Sequence, residues 1–282
     1  MYSSVRKLLA ELIDYAGLFP PASLPLSAAV KNFEQCRESE FGWMLGRFVI
    51  PAFRLAELGD SSLPVSVLAG DNLGHDLKRI QDFQRHPSAS IEAIEVKAAT
   101  VENVRHVSEN VPSEIPIFFE VPAGVGSPML LAAIAEEASC AKIRTGGIIA
   151  DAFPNTSDIV RFLELSGVYG VPFKATAGLH HPMRGLHALT DQDQSPTVMM
   201  HGFLNLFLAA CFVRHHLDAR AVAKLLEEQS PQALQFDDVG VRWRDHLLTT
   251  DQISATRDQF AVSFGSCSLQ EPIDDLKALG IL

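Results

Sequence analysis

Short runs of β-branched and aromatic residues alternate with amphipathic stretches along almost the whole chain of 282 residues. This alternation predicts parallel strands joined by helical crossovers, because two parallel neighbours need a connection long enough to return to the same end of the sheet. No low-complexity linker or shift in composition marks a boundary, so we expect one domain over residues 1–282.

Eight segments have the composition of strands. They are Tyr15–Phe19, Arg47–Pro51, Pro64–Gly70, Ile91–Ala98, Ile115–Pro122, Ala141–Gly147, Val171–Gly178 and Phe260–Ser266. The predicted helices are Ser4–Asp14, Leu26–Glu38, Leu73–Arg85, Val101–Glu109, Pro128–Ala138, Asn155–Leu165, Val198–His215, Ala219–Glu228 and Pro272–Leu279. This inventory predicts an α/β fold, a (β/α)8 TIM-like barrel with an N-terminal helix. The rival is an open doubly wound sheet, which is disfavoured because no glycine-rich dinucleotide loop follows the first strand.

The segment Ala233–Trp243 has turn residues at its centre, Asp237 to Gly240. It predicts a hairpin inserted before the last strand. The alternative is that this segment is itself a barrel strand, in which case Tyr15–Phe19 is not one.

Composition excludes several classes of protein. With 23 Lys and Arg against 34 Asp and Glu, the formal net charge is −11, which argues against a nucleic-acid partner. Four scattered cysteines without a CxxC pair indicate a reducing compartment, so we expect a cytoplasmic protein. The charged N-terminal segment lacks the apolar run of a signal peptide. Phe203–Val213 is too short to cross a membrane, and predicts either a buried helix or the interface of a homo-oligomer.

Charged residues interrupt four consecutive predicted strands. Strands of a parallel barrel are normally buried on both faces, so unpaired charges there are costly. Because side chains alternate along a strand, residues two apart point to the same side, which predicts charges that line one cavity. An excess of cations over carboxylates favours a small anionic metabolite as the substrate. The residues are Glu95, Lys97, Glu120, Lys142, Arg144, Lys174 and the neighbouring Thr176.

The loops after the last two predicted strands carry further candidates for binding the substrate. Thr176 and Gly178 follow one strand, and Gly265 and Ser266 end the other, so both offer hydroxyls and accessible backbone N–H groups for an anion. Plain turn chemistry explains the glycines as well.

A long connection, Leu179–Thr197, resembles in length the lids of barrel enzymes, and it contains His180 and His181 as candidate acid/base groups or metal ligands. His201 and Asn205 lie one helical turn apart and are candidates for binding substrate at the mouth of the barrel. Asp14 and Tyr15 reach the site only if Tyr15–Phe19 is the first strand. Cys267 is a candidate nucleophile without a recognisable partner, and a small buried thiol is the favoured interpretation.

The string VPFKATAG around Lys174 resembles the lysine strand of class I aldolases, in which a strand-borne lysine precedes a Thr/Ser-Gly stretch and forms a Schiff base. The resemblance covers fewer than ten residues and implies an imine-forming role for Lys174. It departs from that family because Lys174 falls on the seventh predicted strand rather than the sixth, and no second lysine stands on a neighbouring later strand. Over longer range, DYAGLFPPA, FKATAGLHHP, HGFLN and FGSC followed by EP resemble uncharacterised bacterial (β/α)8-barrel-like proteins, which implies no particular activity.

Three functional hypotheses follow. The first is an aldolase-like lyase for a small carboxylate or phosphate, which needs no cofactor: Lys174, its pKa lowered by Lys142 and Arg144, forms an imine. Glu95 or Glu120 then moves protons, and His180 or His181 assists.

The second is an isomerase or lyase that depends on a divalent metal held by Glu95, Glu120, His180 and His181. The third is a barrel that binds a metabolite or a partner protein without chemistry.

Overall fold

The structure, a computed structural model, describes residues 1–124, 127–190 and 194–282. Its strands are β1 (Ile13–Tyr15), β2 (Leu45–Pro51), β3 (Pro64–Leu68), β4 (Ser90–Lys97), β5 (Ile117–Val121), β6 (Cys140–Arg144), β7 (Phe173–Thr176), β8 (Gly185–Ala188), β9 (Thr197–Met200), β10 (Leu234–Phe236), β11 (Gly240–Trp243), β12 (His246–Thr249) and β13 (Ala261–Ser266). Its helices are α1 (Ser3–Leu9), α2 (Leu26–Glu38), α3 (Leu73–Gln84), α4 (Val101–Asn110), α5 (Ser127–Glu136), α6 (Thr156–Tyr169), α7 (Phe203–Arg214), α8 (Ala219–Leu226), α9 (Thr250–Gln259) and α10 (Gln270–Ala278).

Eight parallel strands form a closed barrel in the order β1-β13-β7-β6-β5-β4-β3-β2. Helices α2 to α6 connect successive strands, except between β2 and β3, where the short 3-10 helix Ala52–Leu58 makes the crossover. The predicted (β/α)8 barrel with an N-terminal helix is therefore confirmed.

The barrel begins earlier than the sequence predicts. Instead of a helix that continues to Asp14, α1 ends at Leu9, and Glu11 adopts a left-handed backbone conformation with φ of 49°. The chain then forms β1, which pairs on one side with β2 and on the other with β13. These two ladders outweigh the local helical periodicity, so Asp14 lies on a strand and the prediction of a first strand at Tyr15–Phe19 is wrong in its bounds.

Between β7 and β13 the chain makes two antiparallel additions to the barrel. The first is the hairpin of β8 and β9, so the predicted helix Val198–His215 is wrong over its first turn, where Met200 pairs with Gly185. Residues 191–193 of the predicted long loop lie outside the described residues. The second is the sheet of β10, β11 and β12, which confirms the predicted hairpin insertion and extends it by one strand. The following helix, α9, was not predicted; Thr249 and Gln252 close its N-terminus with a capping box.

Apolar side chains fill the layer between the barrel and its helices. Helix α7 is buried along its length from Phe203 to Phe212, and it packs against α6, α8 and α9. Of the helices in the described part of the chain, none combines the length and apolar character that a membrane span requires. The inside of the barrel differs, because it contains several buried charges.

Candidate active site

A buried ion pair crosses the inside of the barrel. Lys174 Nζ on β7 lies 2.5 Å from Asp14 Oδ2 on β1 and 2.6 Å from Glu95 Oε1 on β4. Neither β1 nor β4 is a neighbour of β7, so both contacts must pass through the barrel interior. Lys174 is 1% exposed and Asp14 is fully buried, which removes both charges from water. Burial on this scale is tolerated only when each charge has a partner.

The same network continues toward the surface through alternating charges. Lys142 Nζ lies 3.0 Å from Glu95 Oε2 and 2.8 Å from Glu120 Oε2. Glu120 in turn accepts a hydrogen bond of 3.0 Å from Arg144 Nε. Side-chain exposure rises from 3% at Lys142 to 14% at Glu120 and 47% at Arg144. The result is a line of three cations and three carboxylates that starts inside the barrel and ends in its mouth.

Hydroxyl and backbone groups complete the inner end of this line. Ser66 Oγ donates to Glu95 Oε1 at 2.7 Å, and Ser263 Oγ donates to Asp14 Oδ2 at 2.7 Å. The backbone N–H of Arg47 donates to the other oxygen of Asp14 at 2.8 Å. Both carboxylates therefore accept hydrogen bonds from several donors at once.

The protonation of this network differs from the sequence-based expectation. Burial by itself would lower the pKa of Lys174, but the neighbouring carboxylates of Asp14 and Glu95 hold it above its ordinary value. Burial would likewise raise the pKa of Glu95, yet Lys174 and Lys142 keep it below its usual range. The prediction that Lys142 and Arg144 lower the pKa of Lys174 is wrong, because the intervening carboxylates neutralise those cations.

The network lies at the bottom of a cavity of about 1570 Å³ at the carboxyl ends of the barrel strands. Lys97 ends β4 and reaches this cavity with an exposed side chain. Within the described ranges, no carboxylate lies at salt-bridge distance from its amine. Of the cations predicted for the site, Lys97 alone has no carboxylate partner among the described residues. Lys277 of α10 also lines the cavity, and its amine lies 4.2 Å from the centre of the Phe41 ring.

Thr176, Gly178 and Gly265 all border the cavity. Gly178 has a φ of +75°, and a Cβ at this position would lie 2.7 Å from the Cα of Gly146. Ser266 lies beside the lining and forms a local turn, because its hydroxyl donates to the Ser268 carbonyl at 2.6 Å. Gly178 and Ser266 therefore shape the loops, while Thr176 and Gly265 face the space where a substrate would bind.

Two histidines follow β7 and face acids of α10. His180 Nδ1 lies 3.2 Å from Glu271 Oε2, and His181 Nδ1 lies 2.6 Å from Asp275 Oδ2. Burial alone would lower the pKa of His180, but contacts with the Cys267 thiol and the Glu271 carboxylate raise it to about 10. This second cluster lines the same cavity as Lys174 but shares no ion pair with its network.

His201 and Asn205 lie outside the cavity lining. His201 Nε2 donates to the carbonyl of Pro154 at 2.8 Å, and its Nδ1 accepts from Arg184 Nη1 at 3.0 Å. Asn205 accepts from the backbone N–H of Arg184 at 2.9 Å and is fully buried. Both side chains thus fix the segment around Arg184 to α7.

The four residues proposed as metal ligands do not converge. Glu95 and Glu120 bond to lysines, whereas His180 and His181 bond to acids of α10. In the described part of the chain, no group of three or more His, Cys, Asp or Glu side chains is arranged to hold a metal ion. The arrangement of donors gives the metal hypothesis no support.

The structure adds Glu271, Asp275 and a partner for Cys267 to the residues that sequence patterns indicate, and it brings the conditional candidate Asp14 into the site. Asp14 had a detectable signal, since it directly precedes a predicted strand. The acids of α10 had none, because acidic residues in a surface helix are ordinary.

No protein-family model matches the chain, and no curated protein matches it significantly.

Proposed function

We propose that this barrel is an enzyme, an aldolase-like lyase that acts on a small oxygenated carboxylate or phosphate through an imine with Lys174. The observation that carries the proposal is the amine of Lys174, which borders the cavity while its Nζ contacts Asp14 and Glu95 at 2.5 and 2.6 Å. A buried amine with two adjacent proton acceptors suits covalent catalysis on a carbonyl. Parallel barrels place their catalytic groups at this end of the strands.

Imine formation first requires Lys174 to lose its proton, and the adjacent carboxylates are the groups within reach of it. In the free protein Lys174 carries its proton, since its pKa is raised by those carboxylates. When a carbonyl compound enters, the ammonium gives a proton to Glu95 or Asp14, and the neutral amine forms a bond with the carbonyl carbon. The hydroxyl of the resulting carbinolamine takes that proton and leaves as water, and the nitrogen lone pair forms the C=N bond of the iminium.

Glu120 is placed to move the next proton. It lies closer to the mouth than Glu95, and Lys142 and Arg144 hold its pKa below its ordinary value. As a carboxylate it accepts the proton of the hydroxyl on the β-carbon, counted from the iminium carbon. The bond between the α- and β-carbons then breaks, and its electrons move through the enamine to the nitrogen. Protonation of the enamine and addition of water then release the second product and restore Lys174.

The substrate's anionic group is assigned to Lys97. Its exposed amine has no carboxylate at salt-bridge distance in the described residues, so an incoming anion replaces no existing partner. Arg144 is half exposed but already forms an ion pair with Glu120. It therefore adds to the electrostatic potential at the mouth of the barrel and is not the residue that binds the substrate's anionic group. An available cation in the cavity favours a small substrate with a carboxylate or phosphate.

Trapping with borohydride tests the imine directly. The wild-type protein is incubated with pyruvate, glycolaldehyde phosphate and related small carbonyl anions, reduced, and mapped by mass spectrometry. We expect a stable adduct on Lys174. Lys142 is the matched internal control, because it is similarly buried and also contacts Glu95, but its second carboxylate is Glu120 rather than Asp14.

Lys174→Arg keeps the charge but has no imine-forming amine, and it should give no adduct. Absence of any adduct at Lys174 across the panel would contradict the imine. A compound that raises the melting temperature without an adduct or turnover would instead support a barrel that binds a metabolite without catalysis.

A further inference from the structure

Three groups from three different elements meet beside the Lys174 network. Cys267 follows β13, His180 follows β7 and Glu271 lies in the first turn of α10. The ring of His180 contacts the Cys267 thiol, and its Nδ1 lies 3.2 Å from Glu271 Oε2. All three line the cavity. A thiol beside an imidazole that in turn contacts a carboxylate is the arrangement that activates a nucleophile in acyl transfer.

The imidazole is held between its two partners. Glu271 fixes the ring through Nδ1, and its own backbone N–H is bound by Ser268 Oγ at 3.1 Å. Cys267 lies three residues before the start of α10, whose first N–H groups lack partners within the helix and favour negative charge nearby. Both ends of the cluster are therefore positioned by the same turn between β13 and α10.

The other cysteines of the chain have different surroundings. Cys36 also lines the cavity, but its hydrogen-bond partner is Ser39, and burial raises its pKa. Burial raises the pKa of Cys140 to about 11 and that of Cys211 to about 12. Among the described residues, Cys267 alone combines a place in the cavity with an imidazole contact.

We propose that Cys267 is a catalytic nucleophile for acyl transfer, that His180 carries its proton, and that Glu271 orients the His180 ring. The substrate class is a small ester or thioester, and the intermediate is an acyl group on the sulfur of Cys267. This activity uses residues other than those of the lyase mechanism, and so stands or fails independently of it.

The reaction balances within the cluster. In the reacting pair the proton lies on His180, in keeping with its raised pKa, and the sulfur of Cys267 bonds to the carbonyl carbon as the bond from that carbon to the leaving oxygen or sulfur breaks. The leaving group receives the proton from His180. Water then attacks the thioester while the now neutral His180 accepts its proton, and the carboxylic acid departs as the bond from its carbon to the sulfur of Cys267 breaks, which restores the starting pair.

Two measurements on the intact wild-type protein test the proposal. With iodoacetamide at pH 7, we expect Cys267 to be alkylated at least about tenfold faster than Cys36, the internal control in the same cavity. With p-nitrophenyl acetate, we expect a burst of nitrophenolate equal to the enzyme concentration and an acetyl group on Cys267.

Variants assign the roles. His180→Asn should slow alkylation of Cys267 by at least about tenfold and leave that of Cys36 unchanged, while Glu271→Gln should have a smaller effect in the same direction. Cys267→Ala should abolish the burst, and Cys36→Ala should keep it. Equal alkylation rates for Cys267 and Cys36, or an acetyl group on Lys174 in place of Cys267, would overturn the proposal, and neither result depends on the folding of a variant.

Discussion

Asp14 and Lys174 are 160 residues apart in the sequence, yet Lys174 Nζ lies 2.5 Å from Asp14 Oδ2 inside the barrel. The pair joins two strands that do not touch, β1 and β7. Its position links stability and chemistry, because the carboxylate that neutralises the buried lysine is also the nearest group to accept its proton.

Removal of either member should therefore be costly. We expect Asp14→Asn and Lys174→Met each to lower the free energy of unfolding by roughly 3–5 kcal/mol, since each leaves a buried charge with fewer partners. The double variant should lose clearly less than the sum, because both charges are gone. Urea denaturation of the four proteins measures the coupling. Glu57→Gln, which breaks an exposed pair with Arg54, is the control and should change the free energy of unfolding far less than either buried substitution. Additive losses would show that the two side chains do not interact.

Lys97→Met should weaken binding of small anions with little effect on stability. The exposed amine has no carboxylate to leave unpaired in the described residues, and methionine retains most of its aliphatic stem. Calorimetric titration with pyruvate and inorganic phosphate measures the loss, which we expect to be about tenfold or more in Kd. The exposed Lys224 of α8 lies outside the cavity, so Lys224→Met serves as the control. Equal affinity in the two variants would remove Lys97 from the site.

His180 should make stability fall with rising pH. Its pKa is about 10 in the folded protein against an ordinary 6.5, so between these values the folded state binds a proton that the unfolded state does not. The contribution is complete below pH 6.5 and is lost as the pH rises to 10, with a slope of about 1.4 kcal/mol per pH unit. Comparison of wild type with His180→Asn across this range isolates the effect of His180 from that of other groups. Parallel stability curves for the two proteins would contradict it.

Gly178→Ala should be more harmful than Gly170→Ala, although both glycines have a left-handed backbone. Gly170 has a φ of +67° and open space where a Cβ would lie, so its replacement should cost about 1 kcal/mol in backbone strain alone. At Gly178 the added Cβ would also lie 2.7 Å from the Cα of Gly146, and one loop must move. That movement displaces His180 two residues later, so alkylation of Cys267 should slow in Gly178→Ala only. Similar melting temperatures and labelling rates in the two variants would argue against this packing role.

The two-residue period of strands made much of the barrel predictable. Charges at Glu95, Lys142 and Lys174 are unusual in buried parallel strands, and alternation places each on the side opposite its apolar neighbours. The pairing among them was not predictable, because it depends on how far each strand is shifted relative to the others. Only closure of the barrel brings β7 within reach of β4 and β1.

Asp14 shows where local pattern fails. Leu8, Leu9, Leu12 and Ile13 continue one helical stripe, so the sequence favours a helix through the position where the chain turns into β1. The cluster of Cys267, His180 and Glu271 could not be predicted from the sequence for another reason. Its members come from two loops and a helix end, and their meeting depends on loop conformations that leave no periodic signal.

Barrel closure also orders events during synthesis of the chain. Strand β1 leaves the ribosome early and finds β2, but its other edge waits for Phe264 to Ser266 at the far end of the sequence. The carboxylate of Asp14 also lacks its side-chain partners at this stage, since Lys174 and Ser263 are 160 and 249 residues further along the chain. A nascent chain that stops short of β13 therefore has an open sheet edge and a carboxylate still in water. The buried charge network of the cavity can therefore form only after β13 has been synthesised.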